Sequence, residues 1–182
     1  MSEQDGLADP FKLLLDIEHR SRTQGGASPA QEEMERFWTG VAFVLAGTRY
    51  ITPLNEVSEI MARPPYTKIP GVKNWMRGIA NVRGTLLPIM DLNGFLGFGN
   101  KHSQKSQRIL VVNHRQMISG LIVDEVLGLQ HFEEHEGVTE TFKVDEVVKP
   151  YITGAFDRDG ERWIVFSLHK LAAHSSFMQV AQ

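Results

Sequence analysis

The segment 78–92, Gly-Ile-Ala-Asn-Val-Arg-Gly-Thr-Leu-Leu-Pro-Ile-Met-Asp-Leu, constrains the fold of this chain more than any other. Apolar residues stand on both sides of Arg83-Gly84, and a glycine there can take the positive φ that a tight turn requires. The segment therefore predicts a β-hairpin. Pro88 has no N–H to donate, so we expect its strand to run along a sheet edge or to bend there. Arg83, at the tip, must either reach solvent or find an acidic partner.

Similar patterns occur on both sides of this hairpin. Apolar runs separated by short polar turns predict further hairpins over residues 37–52, 107–123 and 151–166. The stretch 55–61 fits either a helix or a strand. Residues 168–173 fit a helical turn, and we expect the residues after it to fray.

The order of these elements indicates an internal repeat. Each half of the chain contains a hairpin, a connection and a second hairpin, or about five short strands, which suits a small closed barrel without exposed edges. We therefore predict a mainly β protein of two packed five-stranded barrels with a groove between them. An offset of 76 positions superposes Gly78, Gly84 and Leu92 on Gly154, Gly160 and Leu168, and an offset of 69 superposes Glu56-Val57 on Glu125-Val126.

Residues 1–36 precede the repeat and form a predicted extension. Asp9 and Pro10 suit the start of a short amphipathic helix, which fits docking on its own domain or on a partner. A polar linker and a second short helix follow. The predicted organisation is therefore an extension over 1–36, a globular domain over 37–173 and a tail over 174–182.

Composition narrows the classes of function. Hydrophobic residues make up 42% of the chain, enough for a sizeable core, and the net charge of −3 comes without a basic stripe, so we expect no nucleic-acid partner. The chain contains no cysteine, which excludes disulfides and thiolate metal sites. No apolar run approaches the roughly 20 residues that span a bilayer, and the first residues do not form a signal peptide. We expect a soluble cytoplasmic protein with no direct membrane insertion.

Catalytic motifs are few. His131 and His135 stand four apart with carboxylates between them, which on a helix could hold zinc, but Phe132 replaces the glutamate of the zincin order. The chain carries neither a Gly-x-Ser-x-Gly elbow nor a phosphate-binding glycine motif. We therefore predict a binding module with no cofactor and no metal. A hydrolase that uses the two histidines is the alternative.

Several segments together resemble one family. Segment 78–92 is similar to the signature G-V-x-N-L-R-G-x-x-x-P-V-x-D-L of the CheW-like adaptors of bacterial chemotaxis, with Val82 where leucine is commonest. The resemblance covers about residues 37–173, and the branch it fits best serves type IV pilus (twitching) chemosensory systems. Further matching segments are 53–60, 66–72, 120–126 and 151–156.

The resemblance implies two SH3-like barrels, short terminal helices and no enzymatic activity. Such adaptors couple the cytoplasmic tip of a methyl-accepting chemoreceptor, which lies in the inter-barrel groove, to a CheA-type histidine kinase through its CheW-like regulatory domain. They are cytoplasmic and are recruited to membrane-associated receptor arrays.

The family's motif arginine falls on Arg83 and its acidic partner on Glu59. We therefore predict that these two side chains pair across the groove wall. The alternative is that Arg83 is a solvated turn residue. The partner-binding residues that the resemblance implies are Glu59, Arg83, Asn81, Val82, Gly84, Val57 and Val123.

Overall fold

The computed structural model describes residues 37–99, 105–115, 117–133, 136–138 and 143–180, so the predicted extension 1–36 lies outside the described residues. The described part is mainly β, as predicted. The strands are β1 (Phe37–Leu45), β2 (Thr48–Pro53), β3 (Glu59–Ala62), β4 (Met76–Val82), β5 (Thr85–Asp91), β6 (Arg108–His114), β7 (Met117–Val123), β8 (Glu125–Glu133), β9 (Ile152–Arg158) and β10 (Glu161–Phe166). The helices are α1 (Leu92–Leu96), α2 (Leu168–Ala173) and α3 (Ser175–Met178), with short 3₁₀ turns at Leu54–Glu56 and Lys149–Tyr151.

The strands form two five-stranded sheets that exchange strands between the halves of the chain. The first barrel has the order β8-β1-β2-β10-β9 and the second barrel the order β3-β6-β7-β5-β4. The first barrel therefore combines β1 and β2 from the first half of the chain with β8, β9 and β10 from the second half. The second barrel combines β6 and β7 from the second half with β3, β4 and β5 from the first half. The expectation that the five strands of each half form one barrel is therefore wrong. A repeated sequence specifies equivalent strands but does not specify which copies pair.

The repeat itself extends through the hydrogen-bonded register. In the first barrel β10 runs parallel to β2 with Val165 opposite Ile51, and in the second β5 runs parallel to β7 with Ile89 opposite Gly120. Val165 and Ile89 are 76 positions apart, and Gly120 and Ile51 are 69 positions apart. These are the two offsets that the sequence repeat suggested. The internal repeat is thereby confirmed at the level of strand pairing.

Within the described ranges, an isolated bridge joins the two edges of each barrel. Thr67, beyond β3, bridges Ile79 of β4, and Gly137, beyond β8, bridges Phe156 of β9. Thr67 and Ile79 exchange two backbone hydrogen bonds of 2.9 Å. A close approach at Gly78 permits this bridge, because Gly78 has φ +146° and a Cβ there would lie 2.1 Å from the Thr67 carbonyl oxygen.

Three apolar clusters stabilise the fold. One cluster lies inside the second barrel and another lies inside the first barrel. The largest, which we call the shared core, draws on both sheets and lies between them. Along β6, for example, Ile109 and Val111 face the barrel interior while Leu110 and Val112 face the shared core. Burial on both faces explains the unbroken apolar run at 109–112 in β6.

Pro88 does not lie on an edge strand, so the edge alternative of that prediction is wrong. β5 lies between β7 and β4. Ile79 on β4 lies opposite Pro88. The N–H and C=O of Ile79 are hydrogen-bonded to Thr67 and do not face β5, so this pair needs no hydrogen bond from position 88. On the other side the pairing with β7 begins one residue later, at Ile89. The missing donor therefore breaks neither ladder.

The end of the chain is ordered further than predicted. The expectation of fraying is wrong for α3, because Phe177 is buried and stacks on Trp75 with ring centroids 5.7 Å apart. The Lys73 N–H also donates to the Val180 carbonyl at 2.9 Å. The ambiguous stretch 55–61 contains both alternatives in part, a 3₁₀ turn followed by β3.

Two carboxylates hold the exchanged pieces together. Glu56 accepts hydrogen bonds from the Ser167 hydroxyl at 2.9 Å and the His169 N–H at 3.0 Å. Asp124, which is buried, accepts from the Ala46 N–H at 2.8 Å and the Asn93 side chain at 2.7 Å. Each carboxylate therefore joins the connection after one hairpin to a segment from the opposite half of the repeat.

We expect Gly78→Ala to lower the free energy of unfolding by about 2–3 kcal/mol, because the added methyl group collides with backbone at the barrel closure and the residue keeps a positive φ. Urea denaturation with an unchanged m-value measures this. The matched control is Gly154→Ala, the equivalent position in the first barrel, where a Cβ has nothing within 4 Å. Equal losses in the two variants would contradict the closure argument.

Candidate functional site

The β4–β5 hairpin turns at Arg83-Gly84. Both residues have positive φ, +50° and +83°, as a two-residue type I′ hairpin requires. The Asn81 side-chain oxygen accepts the Gly84 N–H at 3.0 Å and stabilises the turn. The local sequence therefore sets the direction in which Arg83 leaves the hairpin.

Arg83 forms the predicted ion pair with Glu59. Nη2 lies 2.9 Å from Oε1, and Nη1 donates to Oε2 at 3.2 Å, so the contact is bidentate. The Arg83 side chain is 78% exposed and that of Glu59 is 34% exposed. Arg83 thus reaches solvent and also has a partner. Because β3 and β4 are the edges of this sheet, the pair spans the seam where the second barrel closes.

A cavity of about 170 Å³ lies beside this ion pair, and we call it the mouth of the second barrel. Leu87 and Val111 form its nearly buried floor, and Val82 and Ile118 form half-buried walls. Each of the five strands contributes at least one residue. The full lining is Glu59, Val82, Arg83, Thr85, Leu87, Val111 and Ile118. The Glu59–Arg83 pair is therefore at the end of one barrel, and its predicted position on the wall of an inter-barrel groove is wrong.

The other predicted residues fall into two places. Asn81 and Gly84 belong to the turn that carries Arg83. Val57 is half-buried against the shared core, and Val123, with 0% exposure, lies within it. The mouth thus brings together Glu59, Val82 and Arg83 but neither Val57 nor Val123.

Sequence reasoning missed four residues of the mouth. Thr85 and Leu87 follow the turn within the signature, and their alternation with exposed Leu86 was a usable signal of a common inward face. Val111 and Ile118 come from β6 and β7, which belong to the other half of the repeat. Only the exchange of strands brings these two residues to the mouth.

A second cavity, of about 280 Å³, lies on the outer side of the first barrel, next to the shared core. The Tyr50 hydroxyl is among its polar groups, and burial together with the nearby Asp145 carboxylate raises the pKa of Tyr50. None of the predicted binding residues contributes to it. Its lining is Leu45, Ala46, Thr48, Tyr50, Phe98, Lys143, Val144, Asp145 and Ile164.

The histidine alternative gains no support from the contacts. The Nδ1 atom of His131 lies 2.8 Å from the Thr39 hydroxyl oxygen, and His135 lies outside the described residues. Among the described residues no three histidine or acidic side chains are grouped closely enough to hold a metal ion. In the same part of the chain, every helix is too short or too polar to cross a bilayer.

Comparison with known proteins identifies the family. Residues 39–176 match the family model described as the CheW-like domain. The chain belongs to the CheW-like family. The resemblance that segment 78–92 suggested is thereby confirmed, and the match covers both barrels as well as α1 and α2.

Individual relatives agree with this assignment. The chain is 45% identical to the protein PilI of Pseudomonas aeruginosa over 94% of its own length and 96% of that protein. It is 28% identical to the chemotaxis protein CheW of Helicobacter pylori over 62% of this chain and 68% of that one. The crystal structure of the scaffolding protein TtCheW from Thermoanaerobacter tengcongensis superposes with a TM-score of 0.65 at 28% identity, covering 76% of this CheW-like chain and 94% of TtCheW. The SH3-like barrel architecture is therefore confirmed.

We expect Arg83→Ala and Glu59→Ala each to change the free energy of unfolding by about 0–1 kcal/mol, because an exposed ion pair in high dielectric contributes little. Urea denaturation measures the change. Leu87→Ala is the reference for a destabilising change at the same mouth, since it empties a buried position and is expected to cost about 2–5 kcal/mol. A loss of that size on removing Arg83 would show that the pair has a structural role.

Proposed function

We propose that this chain is a non-enzymatic adaptor that couples a methyl-accepting chemoreceptor to a CheA-type histidine kinase, in a system that controls type IV pilus twitching motility. The observation that carries the proposal is the 45% identity to PilI along 94% of this chain and 96% of that relative. A similarity of that extent covers the whole domain rather than one motif. The structural likeness to TtCheW, a scaffolding protein, supports the same class of role.

The proposed docking surface for the kinase's CheW-like regulatory domain is the Glu59–Arg83 pair with the turn residues beside it, because this pair lies at the end of one barrel. The receptor tip takes the inter-barrel groove in this proposal. Charged groups at the rim of an interface fix orientation and partner choice more than they add affinity. Asn81 and Gly84 set the position of Arg83, and Val82 offers apolar contact. Val57 packs against the shared core and Val123 lies within it. In this proposal both support the docking surface without contacting the partner.

The proposed action involves no chemical step in this chain. The receptor's helical tip and the kinase's CheW-like regulatory domain bind at separate surfaces of the adaptor. A change in the receptor then shifts the population of active and inactive kinase conformations, provided that the complex binds the two conformations with different affinity. The adaptor is cytoplasmic in this proposal and reaches the membrane only through its receptor.

We expect the purified protein to bind both the regulatory domain of the CheA-type kinase and the signalling domain of a pilus-linked receptor from the same cell. Arg83→Glu is expected to weaken binding of the kinase's regulatory domain about tenfold or more, because it replaces the exposed cation at this barrel end and repels Glu59. Isothermal titration calorimetry with each partner measures both affinities.

The matched control is Arg162→Glu, which makes the same charge change at an exposed ion pair on the first barrel, where Arg162 bonds Asp157 at 2.6 and 2.7 Å. This control should bind the kinase's regulatory domain as the unmodified protein does. Capture of neither partner would overturn the adaptor proposal. Equal effects of the two variants would leave the adaptor role standing but reject the Arg83 surface.

A further inference from the structure

The charges of this chain are unevenly divided along its sequence. Residues 59–123, which supply all five strands of the second barrel, include nine lysines and arginines but only two acidic residues, Glu59 and Asp91. The whole chain has 19 lysines and arginines and 22 aspartates and glutamates, so the other residues include ten cations and twenty acids. The second barrel is therefore basic within a chain whose net charge is −3.

Both acidic residues of the second barrel are already paired with arginines. Glu59 pairs with Arg83 at one end of the barrel. Asp91 pairs with Arg77, and the Asp91 side chain is only 2% exposed. The remaining cations of the second barrel therefore have no further carboxylate within residues 59–123 that could neutralise them.

Two of these remaining cations lie at the end of the barrel opposite the Arg83 turn. Arg108 begins β6 and pairs across the sheet with Ala62, the last residue of β3, and Arg63 follows Ala62 directly. The first residue of β3 is Glu59, which contacts Arg83. The two arginines are therefore at the far end of the same strand. We call the surface formed by Arg63, Gln107 and Arg108 the basic end.

One buried residue, Gln107, binds both guanidinium groups. Arg63 donates from Nη1 to the Gln107 side-chain oxygen at 2.9 Å, and Arg108 donates from Nη1 to the Gln107 carbonyl oxygen at 2.9 Å. Gln107 is only 5% exposed. Arg63 also donates to the Tyr66 hydroxyl and lies over the Tyr66 ring at 5.1 Å. The two cationic side chains are therefore held in place by neutral groups.

These neutral partners order the guanidinium groups without cancelling their charge. Within the part of the chain that the structure describes, neither Arg63 nor Arg108 contacts a carboxylate. The hydrogen bonds of Arg108 all come from Nη1. Its Nε and Nη2 atoms therefore keep N–H groups for another acceptor, and this edge of a guanidinium can bind a carboxylate through two parallel hydrogen bonds.

The distribution of charge favours a short anionic partner over a long one. A nucleic acid or an anionic membrane surface would extend beyond the basic end towards the first barrel, whose segment 125–166 includes ten acidic and four basic residues. Such a polyanion would be repelled there. A short run of aspartates or glutamates interacts mainly with charges within one Debye length, about 8 Å at physiological ionic strength. The basic end therefore suits a short acidic segment.

We propose that the basic end of the second barrel binds an acidic peptide segment of a partner protein, whose aspartate or glutamate carboxylates pair with Arg63 and Arg108. This surface is separate from the Glu59–Arg83 pair, which lies at the opposite end of the same strand. The site adds a third contact to the two of the proposed adaptor role and depends on neither of them.

The first test titrates the full-length protein with a hexaglutamate peptide that is acetylated and amidated at its ends. Backbone amides and arginine Nε–H groups are followed by ¹H–¹⁵N NMR. We expect saturable shifts at Arg63, Gln107 and Arg108, and a dissociation constant that rises with salt because the contact is ionic. The matched hexaglutamine peptide should cause none of these shifts. Equal shifts with both peptides, or none with hexaglutamate, would overturn the site.

The second test changes the two arginines. Arg108→Gln is expected to weaken hexaglutamate binding about threefold to tenfold, as expected for one exposed charge-assisted contact. Arg108→Lys keeps the charge but loses the planar fork, so it should retain only part of the affinity. Arg63→Gln should weaken binding similarly. Because Arg108 is exposed, its variants are expected to fold even if loss of the Arg63 contacts unfolds the other variant.

The matched control is Arg115→Gln, which removes an exposed cation from the turn after β6, at the other end of the same strand. β6 has seven residues, each about 3.3 Å long, so Arg115 lies more than one Debye length from Arg108. This control should bind hexaglutamate as the unmodified protein does. Equal losses in Arg108→Gln and Arg115→Gln would show that the peptide responds only to the overall charge of the barrel, and would overturn the site.

Further titrations test the class of partner and its independence from the adaptor role. Single-stranded DNA or vesicles that contain phosphatidylglycerol replace the peptide, and binding of either as tightly as hexaglutamate would overturn the choice of an acidic peptide. Arg108→Gln should leave the affinities for the kinase's regulatory domain and the receptor signalling domain unchanged. Loss of either affinity together with peptide binding would overturn the separate surface. Peptide binding by a protein that captures neither partner would overturn only the adaptor proposal.

Discussion

Burial of the central strands on both faces is the constraint on which the rest of this structure depends. β1, β6 and β7 each present one face to a barrel interior and the other to the shared core. A five-stranded barrel of this size encloses only a few side chains, so neither interior is a large core by itself. The shared core supplies the remaining apolar burial, and it also fixes the two barrels to each other.

The exchange of strands strengthens this arrangement. Because each barrel contains strands from both halves of the repeat, separating the two halves would require breaking ladders as well as the shared core. The carboxylates of Glu56 and Asp124 add hydrogen bonds at the two connections where the chain passes between the barrels. Such rigidity suits the proposed adaptor role, since a rigid binding surface loses less conformational freedom when a partner binds.

The repeat has diverged where the two barrels end. One end is covered by arginines over aromatic rings, and the other has aliphatic side chains and an exposed ion pair. The same backbone framework thus carries a closed surface and an open one. The Glu59–Arg83 pair, which we propose as a docking surface, lies at the open end.

By itself, the sequence determined the local features of this protein. Alternating apolar runs and Gly-containing turns predicted the hairpins, and the motif around Arg83 predicted both its family and its pairing with Glu59. These features depend on neighbouring residues or on a short signature. The prediction of an edge strand at Pro88 failed because the partners of a strand lie far away in sequence.

Only the tertiary structure decided how the two halves combine. Equivalent hairpins have equivalent pairing preferences, so the sequence could not distinguish barrels made from one half from barrels that exchange strands. The same choice placed Val111 and Ile118 beside Arg83 and buried Val123 in the shared core. The cavity beside Arg83 is therefore a product of long-range strand pairing, whereas the Glu59–Arg83 pair at its rim depends on one hairpin and its acidic partner.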